Sequence, residues 1–196
     1  GLCFPVIILV TGFTNMFGLG GAPLFSMALG QGNREKAIDI QNTALRLLIL
    51  VGAGILLVGE LLGDRILLLF GATTEELSLA LPYLRIYLIG TIFIMVSTGM
   101  NAYINAQGFP VIGMISVTIG AASNLILDPL FIFGWKLGVS GAAVATVLSQ
   151  LLSFLFVLSF LFGKKNELPV CFAWRFPYAG AIMSLGLAPF IMQVTN

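Results

Sequence analysis

The sequence predicts an all-α integral membrane protein, built as a bundle of about six transmembrane helices. The first observation is composition: of 196 residues, 59% are hydrophobic and 9% are charged, and the mean hydropathy is +1.07. Soluble domains carry roughly 25% charged residues, so this chain has too few polar side chains to enclose a core in water. The other two observations are that its apolar stretches are long enough to cross a bilayer and that they do not alternate as membrane β-strands do.

Charged residues and clusters of glycine and proline divide the sequence into six apolar stretches. Most of them reach about 20 residues, the length that crosses roughly 30 Å of hydrocarbon as a helix. Runs such as 47–51 and 151–156 are apolar without alternation, which excludes β-barrel strands. The predicted spans are residues 4–29, 38–62, 82–105, 111–134, 138–162 and 178–196.

A shorter apolar segment lies between the second and third spans. Residues 64–71 are too few to cross the membrane, so the sequence predicts an interfacial helix that ends at Gly71. The third span would then begin near Pro82. The segment is either a gate or an ordinary connector that lies at the membrane surface.

The composition also excludes several classes of function. The sequence has no histidine, which excludes histidine catalysis, histidine metal ligands and a histidine pH switch. Two cysteines are too few for a disulfide framework, and a net charge of +1 is too small to predict the basic surface that binds nucleic acid. A membrane enzyme would need paired acids, a nucleophile or a metal cluster, so we expect no enzymatic activity. Because the sequence begins and ends within apolar runs, we expect a part of a longer membrane protein.

Positive charges predict the orientation of the spans. Loops 30–37, 105–110 and 163–177 share one side of the membrane, and that side carries most of the lysine and arginine of the loops. The positive-inside rule places these loops in the cytoplasm of a multi-pass protein of the cell (inner or plasma) membrane. Cys3 would then lie outside and Cys171 inside, so no disulfide is expected between them.

One acidic residue lies well inside a predicted span. Seven of the eight acidic residues lie in loops or near span ends, whereas Asp128 lies within the span 111–134. A carboxylate inside a span costs roughly 2.5–3.5 kcal/mol on insertion scales, so it is usually retained for an ion, a proton or a partner. Asp128 is therefore the main candidate for a functional residue. The alternatives are a hydrogen bond between helices and a location close to the interface.

Neighbouring oxygen atoms favour a cation or proton site at Asp128. Asn124 lies four residues earlier on the same helix face, and Pro129 leaves the carbonyl of Leu125 without its helical donor. Carboxylate, amide and carbonyl oxygens are hard ligands of the kind that suit Na⁺.

The next span carries a matching stripe of small and polar residues. The stripe consists of Gly138, Ala142, Thr146 and Gln150, and small residues there would let two helices approach closely. At a rise of 1.5 Å per residue, Asp128 lies ~9 Å and Thr146 ~12 Å from the outer turn, so the two side chains should meet at similar depth. For Thr146, a hydroxyl bonded back to its own helix is an equal alternative.

Other polar or small residues give weaker signals. Asn101 and Asn105, four residues apart, either line a cavity or hold helices together, and the same two interpretations apply to Gln150 and Gln193. The glycine-rich segment 18–22 lies inside a span rather than after a strand, so it predicts close helix packing and not a nucleotide loop.

Several segments resemble the multidrug and toxic compound extrusion (MATE) transporters, in their DinF-like bacterial branch. The segments GGAPLFS (20–26) and LGQGN (29–33) are similar to the second-helix signature, and GMN through NAQGFP (99–110) is similar to the end of the fourth helix. The segment NLILDPLFIF (124–133) resembles the fifth helix, and GVSGAAVAT (138–146) continues into the sixth. The resemblance covers essentially the whole chain, in order.

The resemblance implies a twelve-helix, two-lobe transporter that exports organic cations or drugs in exchange for Na⁺ or H⁺. Residues 1–177 would be a partial N-terminal lobe, helices two to six without the first, and residues 178–196 would begin helix seven of a truncated C-terminal lobe. The implied cation ligands are Asn124, Asp128, Thr146 and the carbonyl of Ala142, completed by an aspartate of the missing first helix. The implied partners are the lipid bilayer, small organic cations or drugs and the missing parts of the transporter, with no nucleic acid and no cofactor beyond the coupling ion.

Two other functions remain open alternatives. A flippase for lipid-linked saccharides shares the architecture of this superfamily, although such proteins usually carry more cationic residues along the central cavity. A structural membrane subunit that transports nothing is the alternative from a different class, and it gives no reason to retain Asp128.

Overall fold

The computed structural model describes residues 3–163, 166, 168–170 and 175–196, and the regular structure in this part of the chain is entirely helical. The helices are α1 Phe4–Gly30, α2 Arg34–Leu69, α3 Thr74–Ile89, α4 Thr91–Ala106, α5 Pro110–Pro129, α6 Val139–Leu161 and α7 Ala179–Thr195. A π-helical turn, Leu130–Gly134, continues α5 directly. The predicted all-α fold is confirmed.

Four of the described helices are long and apolar enough to cross a membrane: α1, α2, α5 with its π-helical turn, and α6. The pair α3 and α4 makes a fifth crossing if counted together, although it is bent by 49° at the break between them. The apolar helix α7 has 17 residues, which is shorter than the length of about 20 that spans a bilayer. The chain is therefore a multi-pass membrane protein, as predicted.

The prediction of a separate interfacial helix at 64–71 is wrong. Helix α2 runs through these residues without a break and is 36 residues long. Packing against α3 explains the continuity, because Gly63 lies against the side chains of Leu81 and Leu84, and Leu67 is fully buried. The predicted end is nearly right, since Gly71, with φ of +90°, follows the last turn of α2.

The third span begins earlier than predicted. Helix α3 starts at Thr74 instead of near Pro82, because Thr73 and Glu76 form a capping box. The hydroxyl of Thr73 accepts the N–H of Glu76 at 3.3 Å, and the carboxylate of Glu76 accepts the N–H of Thr73 at 2.9 Å. These two bonds satisfy two of the N–H groups that a helix start leaves without partners.

The bend in this span lies at Gly90. The N–H of Gly90 bonds to the carbonyl of Tyr87, three residues earlier, which tightens the last turn of α3. A Cβ at position 90 would lie 3.1 Å from Cγ2 of Val147, so the absence of a side chain lets the bend rest against α6. The hydroxyl of Thr91, the next residue, is buried without a hydrogen-bond partner among the described residues.

The glycine-rich segment of α1 packs closely against α4 and α7, as predicted. A Cβ at Gly18 would lie 3.1 Å from the carbonyl oxygen of Gly99 in α4, and Gly21 lies directly beneath the hydroxyl of Tyr103. That hydroxyl donates to the carbonyl of Phe17 at 2.7 Å and is buried. The third residue of the set, Gly20, faces α7.

Helix α7 lies along α1 at backbone contact. A Cβ at Gly20 would lie 2.5 Å from the carbonyl oxygen of Ile182 and 2.6 Å from Cα of Gly186. Further along the same helix pair, the rings of Phe13 and Phe190 meet with centroids 5.0 Å apart. Because glycine has no side chain, a contact between Gly20 and Gly186 lets the two helix backbones approach closely.

Three connections lie together at one end of the bundle. Side chains of the first turns of α2 bind the α4–α5 turn and the chain that leads into α7. The hydrogen bonds are Gln107 to Gln41 (2.7 Å), Asn42 to the carbonyl of Pro169 (3.1 Å), Thr43 to the carbonyl of Pro177 (2.7 Å) and Arg46 to the carbonyl of Arg175. The loops predicted to share a side therefore do so, although Lys164, Lys165, Glu167 and Cys171 lie outside the described residues.

Candidate functional site

A polar cavity of about 330 Å³ lies between α4, α5 and α6. Its polar lining includes Ser97, Thr98, Asn101, Asn124, Thr146 and Gln150. No lysine, arginine, aspartate or glutamate belongs to the described lining, so hydroxyl and amide groups supply its polarity. We call this space the polar cavity.

Small residues bring α5 and α6 together beside the polar cavity. A Cβ at Gly120 would lie 2.6 Å from Oγ of Ser153, and Ser153 donates to the carbonyl of Ser116 at 2.8 Å. Nearer the start of α6, a Cβ at Gly141 would lie 2.7 Å from a carbonyl oxygen of the π-helical turn. Gly138 was expected in the packing stripe, but a Cβ there would have no neighbour within 4 Å, and Gly138 instead supplies the turn before α6 with φ of +62°.

Three of the predicted cation ligands are joined by hydrogen bonds. The amide Nδ2 of Asn124 donates to Oγ1 of Thr146 at 3.4 Å, and that hydroxyl donates to the carbonyl of Ala142 at 3.0 Å. The hydroxyl of Thr146 therefore bonds back to its own helix, which is one of the two interpretations, and it also accepts a bond from α5 across the interface. The arrangement places an amide, a hydroxyl and a carbonyl oxygen side by side.

Asp128 lies one turn beyond Asn124 on the same face of α5. Its side chain is half-buried, and its Oδ1 atom is fully buried without a hydrogen-bond partner among the described residues. Buried polar atoms are nearly always paired in folded proteins, so an unpaired carboxylate oxygen requires a specific explanation such as a bound ion or proton. The predicted contact between Asp128 and Thr146 is not a hydrogen bond here, because Thr146 bonds to Asn124 and Ala142 instead.

One tyrosine of helix α3, which the sequence analysis missed, lies near this site. Tyr83 lies within electrostatic reach of the Asp128 carboxylate. Its ring stacks on that of Tyr87, with centroids 6.4 Å apart and an angle of 10° between the rings, and Tyr87 is buried. A tyrosine near a span end usually indicates an interfacial anchor, and no local pattern points from Tyr83 to Asp128.

The two asparagines of α4, Asn101 and Asn105, lie in different environments. Nδ2 of Asn101 donates to the carbonyl of Gly113 at 3.3 Å, while its Oδ1 is buried without a partner among the described residues. Asn105 is exposed and lines a second, smaller cavity of about 210 Å³ between α1 and α4, together with Thr14 and Asn15. Both predicted interpretations, packing and cavity lining, therefore apply to Asn101.

The two glutamines differ in their locations. Gln150 lies one turn beyond Thr146 on α6 and lines the polar cavity. Gln193 is half-buried near the end of α7 and lines neither of the two cavities described above. The structure thus brings Gln150 to the predicted site, and it places Gln193 elsewhere.

Comparison with known proteins identifies the family. The family model MatE matches residues 1–130 of the chain. The multidrug export protein MepA of Staphylococcus aureus (strain MRSA252) is 28% identical over 196 residues, which is 98% of this chain and 44% of MepA. The chain therefore spans less than half the length of the curated relatives that it matches.

Solved structures agree with the family match. A crystal structure of MATE in complex with MaD3S is 27% identical and superposes with a TM-score of 0.92, covering 100% of this chain and 45% of that one. The outward-facing conformation of a multidrug resistance MATE family transporter of the MOP superfamily has the same identity and TM-score, 27% and 0.92, with 100% and 44% coverage. These names describe export and transport, in agreement with the prediction that the protein is not an enzyme. Since the family model matches well over half of its residues, the chain belongs to the MatE family.

Proposed function

We propose that the protein containing this chain is a multidrug efflux antiporter, which exports organic cations or drugs in exchange for Na⁺ or H⁺. The observation that carries the proposal is Asp128, a carboxylate within a membrane-spanning helix whose Oδ1 is buried without a partner among the described residues. Asn124 lies one turn earlier on the same helix face, and it bonds to Thr146, whose hydroxyl bonds to the carbonyl of Ala142. A structural subunit would gain nothing from a carboxylate left unpaired in this position.

The proposed site accepts either Na⁺ or a proton. Asp128 would supply the negative charge, and the oxygens of Asn124, Thr146 and Ala142 would replace part of the water around Na⁺. The resemblance to the family would add an aspartate from the first helix of the family's fold. One positive charge that moves inward releases about 2.3 kcal/mol per 100 mV of membrane potential, which would drive the export of the drug.

Coupling between ion and drug would follow from the packing of α5 and α6. An occupied site neutralises Asp128, and an empty site leaves a charge at a close helix interface. The two states would favour different helix arrangements around the polar cavity, in which Asn101 and Gln150 could contact an organic cation. The amide group of Asn105, which lines the smaller cavity, would extend the polar surface towards α1.

We also propose the topology and division into lobes that the sequence suggests. Loops 30–37, 105–110 and 163–177 would face the cytoplasm at the cell membrane, with residues 1–177 in a partial N-terminal lobe and residues 178–196 at the start of a C-terminal lobe. The positive charges of Arg34, Lys36 and Arg175 near this end of the bundle support the orientation. The glycine contact between α1 and α7 would then lie at the boundary between the lobes.

The test uses the full-length protein in proteoliposomes, with ethidium as the transported cation. Ethidium movement should accelerate when an inward Na⁺ gradient, or an inward proton gradient without Na⁺, is imposed, and the effective gradient identifies the coupling ion. An ionophore that collapses the gradient is the control. No gradient-dependent movement of ethidium or other cationic dyes would contradict the antiporter and favour the flippase. The described lining of the polar cavity lacks lysine and arginine, which supports the antiporter over that alternative.

The Tyr83→Phe substitution should weaken the apparent affinity for the coupling ion by roughly tenfold. The described residues show no hydrogen bond between Tyr83 and Asp128, so the loss would come from the hydroxyl as a neighbour of the bound ion, and a polar contact with a charged group contributes about 1.5–3 kcal/mol. The ring would keep its stacking on Tyr87, so the maximal rate should change little. Tyr87→Phe is the matched control, since it removes the other hydroxyl of the same stacked pair. Equal ion affinities for the two variants would remove Tyr83 from the site.

A further inference from the structure

The membrane span formed by α3 and α4 is interrupted halfway along its length. Helix α3 has 16 residues before Gly90 and α4 has 16 residues after it, so the 49° bend lies in the middle of the span. The first N–H groups of α4 have no acceptor within their own helix, and hydrocarbon offers no replacement. The interruption therefore leaves polar backbone groups inside the membrane portion of the chain.

Thr91, the first residue of α4, shows the cost of the interruption. Its side chain is fully buried, and its hydroxyl has no hydrogen-bond partner among the described residues. The equivalent acceptor within an unbroken helix is the carbonyl of Tyr87, which instead accepts the N–H of Gly90 at 3.0 Å. A buried hydroxyl without a partner costs free energy, so the bend is penalised at this residue.

Other threonines of the chain show the bond that Thr91 lacks. A threonine inside a helix commonly donates its hydroxyl to the carbonyl four residues earlier. Five threonines in the other described helices do so, at 2.7–3.0 Å: Thr11, Thr14, Thr118, Thr146 and Thr195. A continuous helix through residues 87–91 would give Thr91 the same bond.

Helix α4 is the fixed half of the span. Asn101 donates to the carbonyl of Gly113 in α5, and Tyr103 donates to the carbonyl of Phe17 in α1. Against α2, a Cβ at Gly52 would lie 3.2 Å from the side chain of Ile92. Three neighbouring helices therefore hold α4 in place.

Helix α3 is attached more weakly. Among the described residues, one hydrogen bond joins it to another element, the 3.9 Å contact from the thiol of Cys3 to the carbonyl of Ala80. Its packing on α2 lies over glycine, since a Cβ at Gly59 would meet the side chain of Leu88. Glycine offers no side chain to interlock with the ridges of α3, so this contact resists a shift of α3 weakly.

We infer that Gly90 is a hinge about which α3 swings against α4, between the bend and a more continuous helix. In the continuous arrangement, both the N–H and the hydroxyl of Thr91 reach the carbonyl of Tyr87. In the bend, Gly90 packs against α6 instead, where a Cβ would lie 3.1 Å from Cγ2 of Val147. These two opposing contributions set the balance between the arrangements.

The hinge moves α3 and leaves the α4 wall of the polar cavity in place. Leu79 in α3 lies 11 residues before Gly90, so full closure of the 49° bend would move it by about 14 Å. Val147 directly follows Thr146, so the hinge rests on α6 one residue from a proposed ion ligand.

The test measures the distance between nitroxide labels at Leu79 in α3 and Ile126 in α5. Both side chains are exposed, by 66% and 69%, so the labels should disturb the packing little. Double electron–electron resonance is recorded on the full-length protein in lipid nanodiscs, with its native cysteines replaced by serine. Because no ion gradient is applied, the result does not depend on the proposed antiport. The wild type should show two distance populations several ångströms apart.

Two substitutions at the break should shift the two populations in opposite directions. Gly90→Ala puts a methyl against Val147 and favours a helical backbone, so it should raise the ratio of continuous to bent molecules about fivefold. Thr91→Val removes the hydroxyl that gains a partner only in the continuous helix, so it should lower this ratio about fivefold.

Matched variants isolate these two effects. Thr91→Ser keeps a hydroxyl and should resemble the wild type. Gly54→Ala replaces a helical glycine of α2 that has no neighbour within 4 Å, so it should leave the ratio unchanged. Val147→Ala removes the Cγ2 atom that the new methyl would meet, so adding it to Gly90→Ala should restore the bend in part.

Opposite shifts in Gly90→Ala and Thr91→Val, with both matched variants unchanged, support the hinge. One distance population that is the same in the wild type and in both substitutions overturns it, and the bend is then a fixed feature of the span. If Gly90→Ala fails to fold, Thr91→Val is compared with Thr91→Ser alone, and identical distributions overturn the hinge. An absence of ion-driven transport would overturn the antiporter without changing these distances.

Discussion

Replacing Asp128 by asparagine should abolish ion-driven ethidium transport by the full-length protein. The amide has nearly the shape of the carboxylate but no charge to balance Na⁺ and no proton to exchange. Losing a charged partner of this kind costs about 1.5–3 kcal/mol, which weakens ion binding roughly 10- to 100-fold. Because antiport requires exchange of the ion in every cycle, the gradient-driven rate should fall to that of protein-free vesicles.

The same substitution should not destabilise the protein. The Oδ1 atom of Asp128 is buried without a partner among the described residues, and a neutral amide costs less to bury than an unpaired carboxylate. Thermal unfolding in detergent should therefore show an unchanged or higher midpoint for Asp128→Asn. Asp128→Glu, which keeps the charge but moves it by one methylene, should retain part of the transport. Undiminished gradient-driven transport in Asp128→Asn, or a lower unfolding midpoint, would make Asp128 a packing residue.

The core of the candidate site was predictable because it depends on short-range rules. Asn124 and Asp128 share a face through the four-residue spacing of a helix, and a short connection makes α5 and α6 neighbours. Counting the rise from the turn between them placed Thr146 opposite this face, and the bond from Asn124 to Thr146 confirms the pairing. The carboxylate of Asp128 was expected in the same contact, but the hydroxyl of Thr146 bonds to Ala142 instead.

Features set by long-range packing were not predictable. Charged residues at 60–65 suggested that the second span ended there, yet the contact between Gly63 and α3 keeps α2 continuous to Leu69. The bend at Gly90 rests against Val147, which lies 57 residues later in the sequence. Nothing in the local sequence around either residue predicts this contact. Tyr83 was missed for the same reason, since its location relative to Asp128 depends on how α3 packs against α6.

The glycine residues show where sequence reasoning stops. A glycine-rich run in a membrane span predicts close packing, and Gly18, Gly20 and Gly21 confirm it. The sequence cannot tell which helix each glycine faces: Gly18 and Gly21 face α4, whereas Gly20 faces α7. The prediction that Gly138 belongs to the packing stripe was wrong for a related reason. Glycine is common both at a helix start and on a packing face, so its presence does not distinguish the two.

The Gly186→Ala substitution should separate α7 from α1. A Cβ at position 186 would collide with the carbonyl oxygen of Met16, and this neighbour is backbone that cannot turn away. Overpacking in a close contact typically costs 1–3 kcal/mol, and relief here requires a shift of a whole helix. The thermal unfolding midpoint of the full-length protein should therefore fall. Cysteines placed at Phe13 and Phe190, whose ring centroids are 5.0 Å apart, should be joined several-fold less efficiently by a short thiol crosslinker.

Gly180→Ala in the same helix is the matched control for this substitution. A Cβ at Gly180 has no neighbour within 4 Å, so the extra methyl should be tolerated. It should even stabilise α7 slightly, since alanine is favoured over glycine in a helix by about 0.5–1 kcal/mol. Crosslinking in both variants is compared without any ion gradient, so that the transport cycle does not change the distance. Equal crosslinking yields and equal unfolding midpoints for the two variants would mean that α1 and α7 are not in backbone contact in the full-length protein, and the boundary between its lobes would then have to lie elsewhere.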